Sequence, residues 1–145
     1  MSDKSEPYFR EGTGEAEQAG AMGPIDEYPL YELAAGVSHR PVFGKNMMFN
    51  FISHAPGTGS PPHAHPEEQF GMVLEGELDF TVGDETRLLR KGCVYHIPPN
   101  VPHGGWAGPE GCLLLDAFAP LRSGFRELIA RAHPMRDPAR WWEED

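Results

Sequence analysis

Between Pro41 and Pro120 the chain alternates apolar-rich stretches with glycine and proline. A spacing of about ten residues per stretch is that of an all-β sandwich or barrel. Residues 45–55 are rich in strand formers, and the Gly/Pro-rich run from Ala55 to Pro62 stops them. Residues 67–82 read as two strands joined at Glu75-Gly76. In the second of these, Leu78, Phe80 and Val82 share one face while Glu77, Asp79 and Thr81 share the other, the period-two pattern of a half-buried strand. Val82-Gly83-Asp84-Glu85 reads as a hairpin turn leading into a strand over 86–92. Two more strands are expected at 93–99 and 111–120. No helix-length amphipathic stretch separates these strands, so a parallel sheet with crossover helices does not fit.

One helix is expected near the C-terminal end. Leu121, Phe125, Leu128, Ile129 and Ala132 recur at helical spacing, Ser123 can cap the start and Pro134 stops it. This stripe is expected to pack on the outside of the β domain. Residues 1–27 lack large apolar residues in any sustained period and read as a flexible acidic arm, residues 28–120 as the β barrel, and 121–145 as helix and tail. Trp141 and Trp142 in the tail could cover the barrel or a neighbouring subunit.

With 145 residues the chain has room for one domain, and 17 glycines with 15 prolines suit a turn-rich β fold. The formal charge of −10 argues against a nucleic-acid groove. The acidity lies mainly at the ends: residues 1–27 carry seven acids against Lys4 and Arg10, while 28–136 are near neutral. It therefore says little about a substrate and reads as solubility. No run of apolar residues is long enough to span a membrane, and no secretory leader is evident, so a cytoplasmic protein is expected. Cys93 and Cys112, both in apolar surroundings, read as small buried thiols in a reducing compartment.

The chemistry concentrates in one segment. His63 and His65 are two apart in an expected strand, so both imidazoles project from one face, and Gln69 keeps the same parity. His103 follows the rigid approach Pro98-Pro99-Asn100-Val101-Pro102. Three imidazoles and one amide oxygen make a site for one divalent transition metal ion, Zn, Ni, Fe, Mn or Cu. His54 and His96 also lie near strands, either lining the same site or at exposed strand ends.

The segment Gly57-x5-His63-x-His65-x3-Gln69-x6-Gly76 resembles the first signature of the cupin superfamily, and Gly92-x5-Pro98-x-Asn100-x2-His103 resembles the second. The resemblance covers roughly residues 40–120 and implies a double-stranded β-helix, the cupin jelly-roll barrel, with a metal in one mouth. Gln69 stands where the usual cupin has Glu, Ala107 where Asn is common, and Asn100 replaces a frequent Gly, which Asn tolerates in left-handed turns. Three neutral histidines with a neutral amide would leave a bound ion its full charge, which favours polarising a hydroxyl or carbonyl over activating oxygen.

Asp116-x-Phe118-x-Pro120-x-Arg122 resembles the corresponding strand end of small cupins that open 4,5-unsaturated monouronates to linear keto acids at a three-His-one-Gln site. That resemblance implies pocket roles for all three side chains: Asp116 to move a proton, Arg122 to pair with a substrate carboxylate, Phe118 as wall. Gly71 offers no side chain where that family has a polar one. Polyketide-cyclase cupins share the ligand pattern, and Met47, Met48, Phe49, Phe51, Phe70 and Trp106 would supply apolar walls for their flat substrates. The expected activity is therefore non-redox lyase, isomerase or cyclase chemistry on a small keto- or sugar-acid-like molecule. A non-heme dioxygenase and a non-catalytic ligand-binding module remain as alternatives. The resemblance also implies a homodimer.

Overall fold

The computed structural model describes Phe9, Glu11, Gly12 and residues 14–132, so Pro134, Trp141 and Trp142 lie outside the described residues. A single 3-10 turn at Ile25–Glu27 falls inside the segment read as an arm. Eight strands follow: β1 (Tyr31–Ala34), β2 (Val37–Phe43), β3 (Met48–His54), β4 (Gly59–His63), β5 (Glu68–Val82), β6 (Glu85–Arg90), β7 (Val94–Ile97) and β8 (His103–Ala119). All pairings are antiparallel. The long strands β5 and β8 pair along their whole length and form the spine. On one half of the spine β3 joins β8 and β7 joins β5; on the other half β4 joins β8 and β6 joins β5. The result is the double-stranded β-helix expected from the sequence.

The spine folds over at two glycines. Gly76 has φ 78°, and a Cβ there would stand 2.1 Å from the Gly111 carbonyl oxygen, so only glycine lets the strands cross so closely. The β5–β8 register slips on either side of it. This corrects the reading of residues 67–82 as two strands: the chain bends at Gly76 but never leaves the sheet. Residues 59–62 were expected to belong to a stop, yet they form most of β4. Its prolines 61 and 62 lie where the β4–β8 register is interrupted, between Ser60 and His63, so they break no regular ladder.

Inward positions fill the space between the two halves. Val37, Ile52, Val73, Leu78, Phe80, Tyr95, Ile97, Ala107, Cys112 and Leu114 form the core. Each fully buried large side chain, such as Leu78 or Ile97, contributes about 1.5–3 kcal/mol. Leu78 and Phe80 are buried and Asp79 is exposed, as the alternation requires.

One short helix, α1 (Phe125–Arg131), follows β8. Its N-cap is Gly124 in the left-handed region, with no side-chain cap. Ser123 was expected to cap it; instead its backbone N–H and its hydroxyl donate to Glu67 Oε2, at 2.9 and 2.8 Å. A buried carboxylate competes successfully for the hydroxyl. Phe125 meets the His39 ring edge-on at 5.9 Å, and none of the helix residues is fully buried. Among the described residues no helix is long and apolar enough to cross a membrane.

Candidate metal centre

His63 ends β4, His103 opens β8, and the two are register partners. His65 lies in the turn between β4 and β5, and Gln69 is the second residue of β5. The expectation that His63 and His65 share one strand is thus corrected: a strand end, a turn and a second strand bring the rings together. Asn100, with φ 67°, closes the turn before β8 and donates its N–H to the His65 carbonyl at 2.8 Å, tying the two signature segments together. One ring nitrogen from each of His63, His65 and His103 lies within 4.8 Å of the others, a group that could hold a metal ion. His65 and His103 are buried and His63 is exposed at the mouth.

The hydrogen bonds set the tautomers. His63 Nδ1 donates to Pro61 O at 2.9 Å, His65 Nδ1 to Glu67 O at 3.0 Å and His103 Nδ1 to Val101 O at 2.9 Å. A carbonyl only accepts, so each Nδ1 carries the proton and each Nε2 presents a lone pair. Among the described residues the buried His103 Nε2 has no hydrogen-bond partner. His65 Nε2 faces Gln69 Oε1 at 3.1 Å, and Gln69 is also hydrogen-bonded to the Asp116 carboxylate. A carboxylate needs a donor, which commits the amide nitrogen to Asp116 and leaves the amide oxygen facing the histidines. Four lone pairs therefore converge with no proton among them, which is what a cation would satisfy. Burial pushes the His103 imidazole down to about 4, and burial also lowers His65, so both rings are neutral at pH 7.

A cavity of about 310 Å³ opens beside these groups. Met48, Gln69, Tyr95, Asp116, Phe118 and Arg122 are among its lining residues. Asp116 is buried and accepts a 2.5 Å hydrogen bond from the Tyr95 hydroxyl. Burial pushes its carboxyl up to about 6, against the opposing effects of the Tyr95 and Gln69 hydrogen bonds and of Arg122. Burial and the Asp116 charge hold Tyr95 well above the ordinary phenol range. Arg122 is partly exposed, with its guanidinium 5.6 Å from the Phe118 ring centre and Nε 3.8 Å from Glu67 Oε1.

Five of the expected apolar walls, Met47, Phe49, Phe51, Phe70 and Trp106, are elsewhere. Phe70 and Trp106 are 57% and 52% exposed and do not line the cavity. Phe70 alternates with Gln69 and so points outward, where it stacks on His96 at 4.5 Å. Trp106 alternates with Gly105 and Ala107. Met47 and Phe49 are likewise outward. Of the two extra histidines, His54 lines the cavity, while His96 is exposed and bonded to Glu68. Cys112 is buried, its thiol pushed up to about 12 by burial and the Asp116 charge, so it is inert.

Sequence reasoning missed Tyr95, Glu67, His39 and Asn50. For Tyr95 the signal was present: Tyr95 and Ile97 alternate with Val94 and His96, and only the first pair is buried. Glu67 keeps the parity of His65 and Gln69.

The family model for the cupin domain matches residues 50–118. Over 102 residues the chain is 30% identical to the pectin degradation protein KdgF of Dickeya dadantii, covering 69% of this chain and 93% of that one. The chain belongs to the cupin superfamily. A 50-residue stretch of this cupin is 52% identical to the H2HPP isomerase of Bacillus subtilis, covering 34% of the chain but only 21% of that protein. Among solved structures, an RmlC-like cupin from Shewanella frigidimarina aligns with a TM-score of 0.69 at 26% identity, over 76% of this chain and 99% of that one. KdgF from Halomonas sp. aligns with the same TM-score of 0.69 at 24% identity, over 74% and 99%, and shares the fold.

Proposed function

We propose that this cupin is a mononuclear metal-dependent enzyme of the lyase, isomerase or cyclase type, acting without redox chemistry on a small keto- or sugar-acid-like substrate. One observation carries the reading. The neutral, proton-free donor set of His63, His65, His103 and Gln69 shares its cavity with a buried carboxylate, Asp116, and with Arg122. A bound divalent ion would act there as a Lewis acid toward a substrate hydroxyl or carbonyl. Arg122 binds the substrate carboxylate as a fork of N–H donors. Asp116 takes a proton from the substrate and returns it at carbon, and a carboxyl near 6 is suited to both steps at neutral pH. The Tyr95 hydroxyl holds Asp116 in place. Met48 and Phe118 keep water off the reacting atoms. The sum is an isomerisation that needs no co-substrate, in line with the resemblance to cupins that open unsaturated uronates. We also propose that the chain pairs as a homodimer.

The test is turnover of a 4,5-unsaturated monouronate by the full chain loaded with Zn²⁺ or Ni²⁺, followed by loss of the conjugated absorbance. Asp116→Asn should lower kcat by 10²–10⁴-fold, roughly what a positioned acid–base supplies, while retaining one metal per chain. Oxygen consumption by the Fe²⁺-loaded protein, with no turnover under Zn²⁺, would replace this reading with the dioxygenase one. A ligand recovered unchanged would replace it with the binding module.

A further inference from the structure

Part of the cavity wall comes from an element outside the sheet. Residues 121–131 follow β8 and lie beyond residues 50–118, which carry the cupin domain. Two of their side chains, Arg122 and Phe125, line the cavity. α1 has seven residues and none of them is fully buried. A helix that short is not stable by itself and stays in place through its tertiary contacts. Those contacts are peripheral. The Ser123 N–H and hydroxyl reach Glu67. The Phe125 ring meets His39 edge-on and lies 6.2 Å from the Phe43 ring, and the Arg126 guanidinium stands 4.3 Å from that same ring. Gly124, with φ 76°, separates the Glu67 attachment from the helix. The strands that supply the other walls are held by backbone ladders and by the core. An element with so little burial opens at a lower cost than they do, so residues 121–131 can swing away while the barrel keeps its fold.

We infer that residues 121–131 form a lid over the cavity, closed by the carboxylate of the ligand it admits. This deepens the reading above and rests on its pairing of Arg122 with a carboxylate. Among the described residues Arg122 is the only arginine or lysine lining the cavity, so the group that holds the carboxylate is carried by the lid. Its Nε lies 3.8 Å from Glu67 Oε1, too far for a hydrogen bond, so Glu67 holds it only loosely. A carboxylate in the cavity ties the guanidinium, and with it the lid, to the barrel. When the lid swings out, the guanidinium leaves with it and the carboxylate loses its partner. The ligand therefore binds the closed form more tightly than the open one, which is the condition for a ligand to drive closure. Closure also sets the Phe125 ring against the cavity and keeps water from that side.

The experiment follows amide hydrogen exchange by NMR in the Zn²⁺-loaded full chain, with and without D-glucuronate, a saturated uronate that the proposed reaction does not consume. The reporters are the amides of Ser123, Phe125 and Leu128, which donate to Glu67 Oε2, Arg122 O and Gly124 O. The comparison amides are those of β6, an edge strand that lines no part of the cavity. At ten times its dissociation constant, measured by calorimetry, glucuronate should slow the reporters about tenfold, as a ligand specific for the closed form does. The β6 amides should change less than twofold. In Arg122→Leu, at a glucuronate concentration that still saturates it, the slowing should vanish. Ser123→Ala keeps every side chain that lines the cavity and removes one attachment of the lid, so it should release glucuronate at least threefold faster. Phe125→Ala repeats that measurement should Ser123→Ala fail to fold. If glucuronate binds while the reporters keep their rates, or slow no more than β6 does, the lid is overturned and the functional reading stands. The same holds if release is unchanged in the variant. If the Zn²⁺-loaded chain binds no glucuronate, the carboxylate-binding role of Arg122 fails and the lid with it.

Discussion

A Cβ at Gly71 would stand 2.2 Å from the Tyr95 ring and 2.4 Å from Asp116 Oδ1. The side chain missing from β5 is thus the space through which Tyr95 on β7 reaches Asp116 on β8. Gly71→Ala should cost about 1–3 kcal/mol by overpacking, and near-ultraviolet circular dichroism should show the Tyr95 environment change. An alanine variant as stable as the wild type would contradict this packing. A second prediction concerns His54. Burial pushes its imidazole down to about 4 from an ordinary 6.5. The unfolded chain therefore takes the proton first as pH falls, so stability is intact above about 6.5 and declines toward 4, by at most ~3 kcal/mol from this residue. Urea midpoints at pH 7 and pH 4.5 should differ less in His54→Leu than in the wild type; an equal difference would acquit His54. Single-residue motifs made much of the candidate site legible: His63, His65, Gln69, His103, Asp116, Phe118 and Arg122 do converge. Tyr95, His39 and Asn50 were not legible as members, because they reach the cavity through cross-strand register, which no local pattern encodes.

Among the elements, β3, β6 and β7 and the second half of β5 were readable from composition and alternation. β4 was not, because its two prolines mimic a loop, and the continuity of β5 was hidden by the glycine at its bend. The cap of α1 was misread for a tertiary reason. Glu67, 2% exposed, takes the Ser123 hydrogen bonds and lies 3.5 Å from His65 Nδ1 through its other oxygen. Burial alone would raise its carboxyl, but the Ser123 donors and the Arg122 charge outweigh that and hold it below the usual range. One carboxylate thus links His65, Arg122 and the start of the segment leading to α1. Glu67→Gln keeps the backbone carbonyl that accepts from His65 Nδ1 and removes only the charge beside it, so metal affinity should fall by less than about tenfold. The substitution should also speed hydrogen exchange across residues 121–131. Unchanged exchange there would show that Glu67 does not latch the helix.

At the scale of the whole molecule, the jelly roll has one face that the alternation turns outward and that remains apolar. Phe49, Phe70 and Val94 are exposed on it, and Phe51, Leu115 and Met72 fill the row between Arg40 and Val94 in register. Patches of this kind mark interfaces, and a second copy related by a two-fold axis would cover it. Light scattering should give twice the mass of 16.1 kDa for the wild type and the monomer mass for Phe70→Glu with Phe49→Glu; a monomeric wild type would refute the pairing. The all-β architecture was legible because glycine and proline divide the strands at regular intervals, whereas the closure of β5 on β8 depends on contacts far apart in sequence. The account turns on the four converging lone pairs. The measurement that tests them most directly is Zn²⁺ titration of the chelator-stripped full chain and of His103→Ala. One equivalent bound tightly by the wild type, with affinity reduced at least a hundredfold in the variant, is the predicted result. No binding by the wild type, or equal binding by both, would contradict it.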